Sequence, residues 1–131
     1  MTTAPVSPGD TDGYLRLLDR AHQVLSLRAD PRRWIETNLW LRSKDQRMVP
    51  FRLWPAQAHW YARRSRWDII LKARQLGFTS VIDGCFFADT VLRPNTTSVI
   101  VAHDLDSSEK IFATVRGFWE RLPGGGARQD W

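Results

Sequence analysis

The sequence predicts an α/β fold: a partial three-layer core with parallel strands, preceded by a small helical N-terminal subdomain. Three observations predict it. Two near-continuous apolar runs, Trp67 to Leu71 and Thr97 to Ala102, are each followed by a run with helical spacing; strands covered on both faces by helices have that composition. Strand, helix, strand, helix in this order implies a parallel pair joined by a right-handed crossover. The turn after the first run, Lys72-Ala73-Arg74-Gln75-Leu76-Gly77-Phe78-Thr79-Ser80, has the layout of a phosphate-binding loop.

Bulk properties bound the rest. The 131 residues make one domain or a piece of one, and 43% apolar content is enough for a core. The net charge of +5 permits contact with a polyanion. No apolar run approaches the ~20 residues that span a bilayer, so no membrane association is expected. The start, Met1-Thr2-Thr3-Ala4-Pro5-Val6, lacks the basic and apolar regions of a signal peptide. The single Cys85 cannot form an internal disulfide, which makes a reducing cytoplasm the expected compartment. Lying in an apolar helical run, Cys85 reads as a small buried hydrophobe.

Residues 1–12, rich in Thr, Pro, Ser and Gly, read as a disordered lead-in. Asp10, Thr11 or Asp12 can cap a first helix. Tyr14, Leu17, Leu18, Ala21, Val24 and Leu25 then recur three and four apart, on one helical face. Asp30-Pro31 starts a second helix, with Pro31 in its first turn and Trp34, Ile35 and Leu39 along it. Together these make a helical subdomain over residues 13–43. Residues 44–123 form the core: a polar loop or hairpin over Lys44 to Met48, an extended Val49 to Trp54, and a helix from Pro55 to about Arg64. The first strand, the loop and a helix from Thr79 to Leu92 follow. Arg93-Pro94-Asn95 breaks that helix before the second strand. Asp106 or Ser107 caps the last helix, whose apolar face is Ile111, Phe112, Val115, Trp119 and Leu122. Gly124-Gly125-Gly126 ends it, and residues 124–131 read as a disordered tail.

A phosphate cradle needs inward-pointing N–H groups, a small residue at the bend and a helix N-terminus behind it. Aligned on GxxxxGK[ST], Gly77 takes the second glycine and Thr79 the hydroxyl that ligates Mg²⁺. Lys72 falls at the first glycine and Phe78 at the lysine, a poor match to the bare pattern. The positive charge is displaced rather than missing: Lys72 starts the loop, Arg74 lies inside it, and either can reach β- and γ-phosphate oxygens. The same nonapeptide also suits a plain strand–turn–helix junction with surface cations.

Upstream lies Phe51-Arg52-Leu53-Trp54-Pro55-Ala56-Gln57. A Gln amide offers a donor and an acceptor that match the 6-amino group and N7 of adenine, and Phe51 or Trp54 can stack on or wall the base. The competing reading is a helix N-terminus with Gln57 in solvent.

In this order and spacing, "FRLWPAQ", "IILKARQLGFTS" and "SVIVAHDLDSSEKIF" resemble the large subunit of tailed-phage terminases, across about residues 31 to 122. The resemblance implies a P-loop NTPase-like core of the RecA/terminase type and an ATPase that packages double-stranded DNA into procapsids. It implies ATP and Mg²⁺ as cofactors. Gln57 would read adenine, with Phe51 beside it, and Lys72 would supply the loop cation. Arg74 would contact phosphate or act as an arginine finger, which makes Lys72 and Arg74 the candidate catalytic residues. Ala73, Gln75, Leu76, Gly77, Phe78 and Ser80 would shape the loop, and Thr79 would bind the metal. The implied partners are double-stranded DNA and, in the full-length protein, a terminase small subunit and a portal protein, in a ring oligomer. The implied location is the cytoplasm of a bacterial host, encoded by a phage or prophage.

This sequence departs from the family where an Asp-Glu strand end should follow: none comes after Leu122. The resemblance therefore implies an N-terminal part of such an ATPase, with little or no hydrolysis of its own. Asp104 and Asp106 read as caps for the last helix, and His103 as structural. Two other functions fit the same residues. One is a helicase-like translocase fragment. The other is a non-enzymatic basic domain that meets DNA through Arg32-Arg33 and Arg63-Arg64-Ser65-Arg66.

Overall fold

A computed structural model describes residues 11–122. The expected disordered tail over 124–131 and the Gly124–Gly126 stop lie outside these residues. So does the lead-in, except that Thr11 and Asp12 belong to a helix. The chain divides into two compact units at Asp30/Pro31. The boundary expected after Ser43 instead falls inside a hairpin turn.

The first unit contains helix α1 (Thr11–Ala29). Asp12 and Arg16, one turn apart, pair at 3.6 Å on its exposed surface, a contact worth a few tenths of a kcal/mol.

The second unit is built as follows: α2 (Pro31–Asn38), strand β1 (Trp40–Arg42), strand β2 (Met48–Pro50), α3 (Pro55–Arg63), α4 (Phe78–Leu92) and α5 (Leu105–Arg121). Pro31 opens α2, where its missing N–H costs nothing. Strands β1 and β2 form an antiparallel hairpin in the register Trp40↔Pro50, Leu41↔Val49 and Arg42↔Met48. Its turn closes through Ser43 N donating to Arg47 O at 2.7 Å, with Gln46 at positive φ. Pro55 takes the first position of α3. Of the expected caps Asp104, Asp106 and Ser107, it is Asp104 that caps α5, by accepting from Ser107 N at 2.7 Å. That bond holds the Asp104 carboxyl below the usual carboxylate range.

The core gathers aromatic rings from three helices and from Phe51, the residue after β2. Phe118 of α5 lies 6.1 Å from Phe51 and 5.6 Å from Phe87 of α4, and Phe87 lies 6.3 Å from Trp34 of α2. Ile35, Leu39, Val81 and Ala88 fill the spaces between them. Gly84 lets Phe51 lie against α4: a Cβ there would stand 3.1 Å from the Phe51 ring.

The expected parallel three-layer core is not what forms. The protein is mostly helical, and its only sheet among the described residues is the two-stranded antiparallel hairpin. The segments Trp67–Leu71 and Thr97–Ala102 run without regular secondary structure. Ile69 and Leu71 are fully exposed, and Val99 and Val101 nearly so. Their sequences suit strands, but no neighbouring chain takes up the backbone groups of residues 69–73 or 99–102 among the described residues. A strand exists only as one side of a ladder. Without a ladder there is no parallel pair, no crossover and no P-loop NTPase-type sheet behind the loop.

Candidate nucleotide-binding loop

The loop enters α4 through two residues in the left-handed region, Gln75 (φ 64°) and Gly77 (φ 66°). Gly77 is the residue type that reaches this conformation without strain. It serves as the N-cap of α4, and Val81 N donates back to Gly77 O at 3.2 Å. The N–H groups of Phe78, Thr79 and Ser80 have no acceptor among the described residues. These are the free donors that every helix start leaves, and they are carried at the positive end of the α4 dipole.

The "FRLWPAQ" segment meets this loop directly. Gln57, in the first turn of α3, is 5% exposed. Its Oε1 accepts from Trp54 N at 2.9 Å, and its Nε2 donates to Leu76 O at 2.8 Å. Gln57 therefore caps its own helix with one end of the amide and holds the loop with the other. This differs from the expected free amide edge presented to adenine.

Phe51 does not wall a base either. It is 1% exposed, enclosed by Phe118 and Gly84, and its ring has no face to offer. Trp54, the other aromatic residue of the segment, is exposed. Phe78, standing where a lysine would be in the common pattern, turns into the core and meets the Trp60 ring edge-on at 6.1 Å. It can contribute to the loop only through its N–H.

Lys72, Ala73, Arg74 and Gln75 are exposed, as is Thr79 in the first turn of α4. Neither Lys72 nor Arg74 has an ion-pair partner among the described residues. Ser80 is half-buried and lines a separate hollow of about 300 Å³ with Trp40, Arg42 and Thr114. A further cation reaches the loop: Lys44, in the hairpin turn, donates to Gln75 Oε1 at 3.4 Å. Sequence reading missed Lys44 because nothing local ties a hairpin turn to a loop thirty-one positions away.

The arginine cluster at the end of α3 is partly spent on its own neighbours. Arg64 lies 3.6 Å over the Tyr61 ring and donates to Tyr61 O at 2.8 Å, and Arg63 contacts His59. Arg32 pairs with Glu36 at 3.6 Å. His103 contacts Asp104 at 2.5 Å on the exposed start of α5. Among the described residues no cluster of His, Cys, Asp and Glu has the make-up of a metal site, and no helix is long and apolar enough to cross a membrane.

Set against protein-family models, curated proteins and solved structures, the chain matches none.

Proposed function

We propose that residues 72–80 bind the triphosphate tail of a nucleotide, ATP with Mg²⁺, and that the chain is the nucleotide-binding front of a DNA-packaging ATPase of the terminase kind. One observation carries the reading: the Gln57–Leu76 hydrogen bond joins the two motifs that the sequence singled out separately. Such a bond couples the start of α3 to the loop that enters α4.

The chemistry follows from the parts. The N–H groups of residues 78–80 donate to phosphate oxygens, as helix starts do. Lys72 and Arg74, both exposed and without carboxylate partners among the described residues, neutralise the tail. The Thr79 hydroxyl ligates Mg²⁺, an ion that keeps most of its water and leans on phosphate for the rest. Base recognition falls to Trp54, since Phe51 is buried and the Gln57 amide is engaged. Hydrolysis is slow in this reading, because among the described residues no carboxylate pairs with the loop. Double-stranded DNA is the macromolecular partner in this reading.

A thermal-shift measurement tests it. Mg-ATP should raise the melting temperature, since a ligand of the folded state alone stabilises it by mass action. The Lys72→Ala and Thr79→Ala changes should reduce that rise without lowering the melting temperature of the free protein. No rise with Mg-ATP, or a rise that Lys72→Ala leaves intact, rejects the site. Salt-sensitive DNA binding with no response to ATP would point to the basic DNA-binding domain instead.

A further inference from the structure

Helices α4 and α5 and the extended segment 96–100 enclose a second hollow of about 900 Å³. That volume lies in the range of sites for small organic molecules. Its wall is mainly apolar, with Phe86, Ile100, Phe112 and Trp119 among its residues. One lining residue is both charged and buried. Asp83 of α4 is 3% exposed, and it has no hydrogen-bond or ion-pair partner among the described residues. Nothing local requires it, because it caps no helix and bridges no element.

A buried carboxylate without a partner is costly to keep. Burial pushes Asp83 up to about 6, so near neutral pH the group still ionises and carries uncompensated negative charge on the wall. The other charged residues of the hollow, Arg116 and Glu120 of α5, are paired with each other at 3.0 Å. Segment 96–100 contributes no charge. Arg32 of α2, the helix packed on α4, pairs with Glu36, and Arg93 of α4 pairs with Asp89. Among the described residues no cation pairs with Asp83.

We propose that this hollow binds a small amphiphilic organic cation, its ammonium group on the Asp83 carboxylate and its apolar body among Phe86, Phe112 and Trp119. An anion is repelled by Asp83. A neutral molecule fills the apolar space but leaves the carboxylate unpaired. Only a cation with a hydrocarbon or aryl body satisfies both, and the rings add cation–π attraction. The site stands independently of the nucleotide reading.

The test uses the full chain and a matched pair of probes, 1-naphthylmethylamine and 1-naphthylmethanol, which share a body and differ in charge. By calorimetric titration at about pH 7.5, the amine should bind at least about tenfold more tightly than the alcohol. Asp83→Asn should abolish that preference while leaving the alcohol's affinity in place. In the unaltered protein, lowering the pH to about 5 should also abolish it, since Asp83 is then protonated. That arm decides the matter even if Asp83→Asn fails to fold. Equal binding of the two probes, binding of neither, or an amine preference that survives both Asp83→Asn and the lower pH overturns the proposal.

Discussion

The side-chain amide of Gln57 and the backbone carbonyl of Leu76 are joined by a 2.8 Å hydrogen bond. It links two segments nineteen positions apart and makes the entry to α4 depend on the entry to α3. Gln57→Ala breaks this bond and the one to Trp54 N, leaving two polar backbone groups short of a partner. We expect a loss of about 1–3 kcal/mol in denaturant unfolding. Gln57→Glu should cost at least as much, because it sets a carboxylate oxygen against the Leu76 carbonyl.

Gly77→Ala meets two obstacles at once. The left-handed backbone at φ 66° disfavours any Cβ, and a Cβ there would stand 2.9 Å from Gln57 Nε2. The expected cost is about 1–2 kcal/mol from the backbone alone. Hydrogen exchange should show the first turn of α4 opening more readily, with the far end of α5 unchanged.

Asp83 sets a pH dependence with a definite sign. Its folded-state value, about 6, lies above the ordinary 3.8 of a free carboxyl. Between those values the native state binds more protons than the unfolded chain, so stability falls as pH rises from about 4 to 6 and stays low above that. The span is on the order of 3 kcal/mol. Asp83→Asn should flatten this profile and be more stable than the parent near neutral pH. A profile that rises through the same window would contradict the assignment.

Cys85 should be slow to alkylate. Burial pushes its thiol up to about 11, with Asp89 adding to the rise and Arg64 opposing it. The reactive thiolate is therefore scarce at neutral pH. Iodoacetamide at about pH 8 should label the folded protein far more slowly than the denatured chain, with the two rates converging in denaturant. Equal rates would show an open, reactive thiol.

The exposed apolar segments contribute little to the fold of this unit. Ile69 and Leu71 are fully exposed, so replacing both with Lys should change the unfolding free energy by no more than about 0.5 kcal/mol per site. Light scattering should fall, because exposed β-branched runs with free backbone groups invite edge-to-edge association. A loss above about 2 kcal/mol would mean that the segment packs after all.

Much of the helical framework was legible in the sequence. Pro31 and Pro55 mark first turns, Gly77 marks the entry to α4, and Arg93-Pro94 marks its end. Each signal acts over one or two turns, within reach of a sequence pattern. The candidate loop was legible too, because a glycine, a hydroxyl residue and nearby cations cluster within nine residues. Its surroundings were less so. Gln57 and Phe51 were read as groups facing a ligand, yet Gln57 spends its amide on backbone and Phe51 lies against Gly84 and Phe118. An aromatic ring looks the same in a sequence whether it faces a base or a core.

By itself the sequence determined where α2, α3 and α4 begin, and which residues crowd the bend at Gly77, because these depend on neighbours along the chain. Only the tertiary structure decided that Trp67–Leu71 and Thr97–Ala102 are not strands, that Phe78 turns inward onto Trp60, and that Asp83 is left buried without a partner. A β-strand, a core ring and a buried charge are each defined by what lies across from them in space. That partner belongs to the fold and not to the residue.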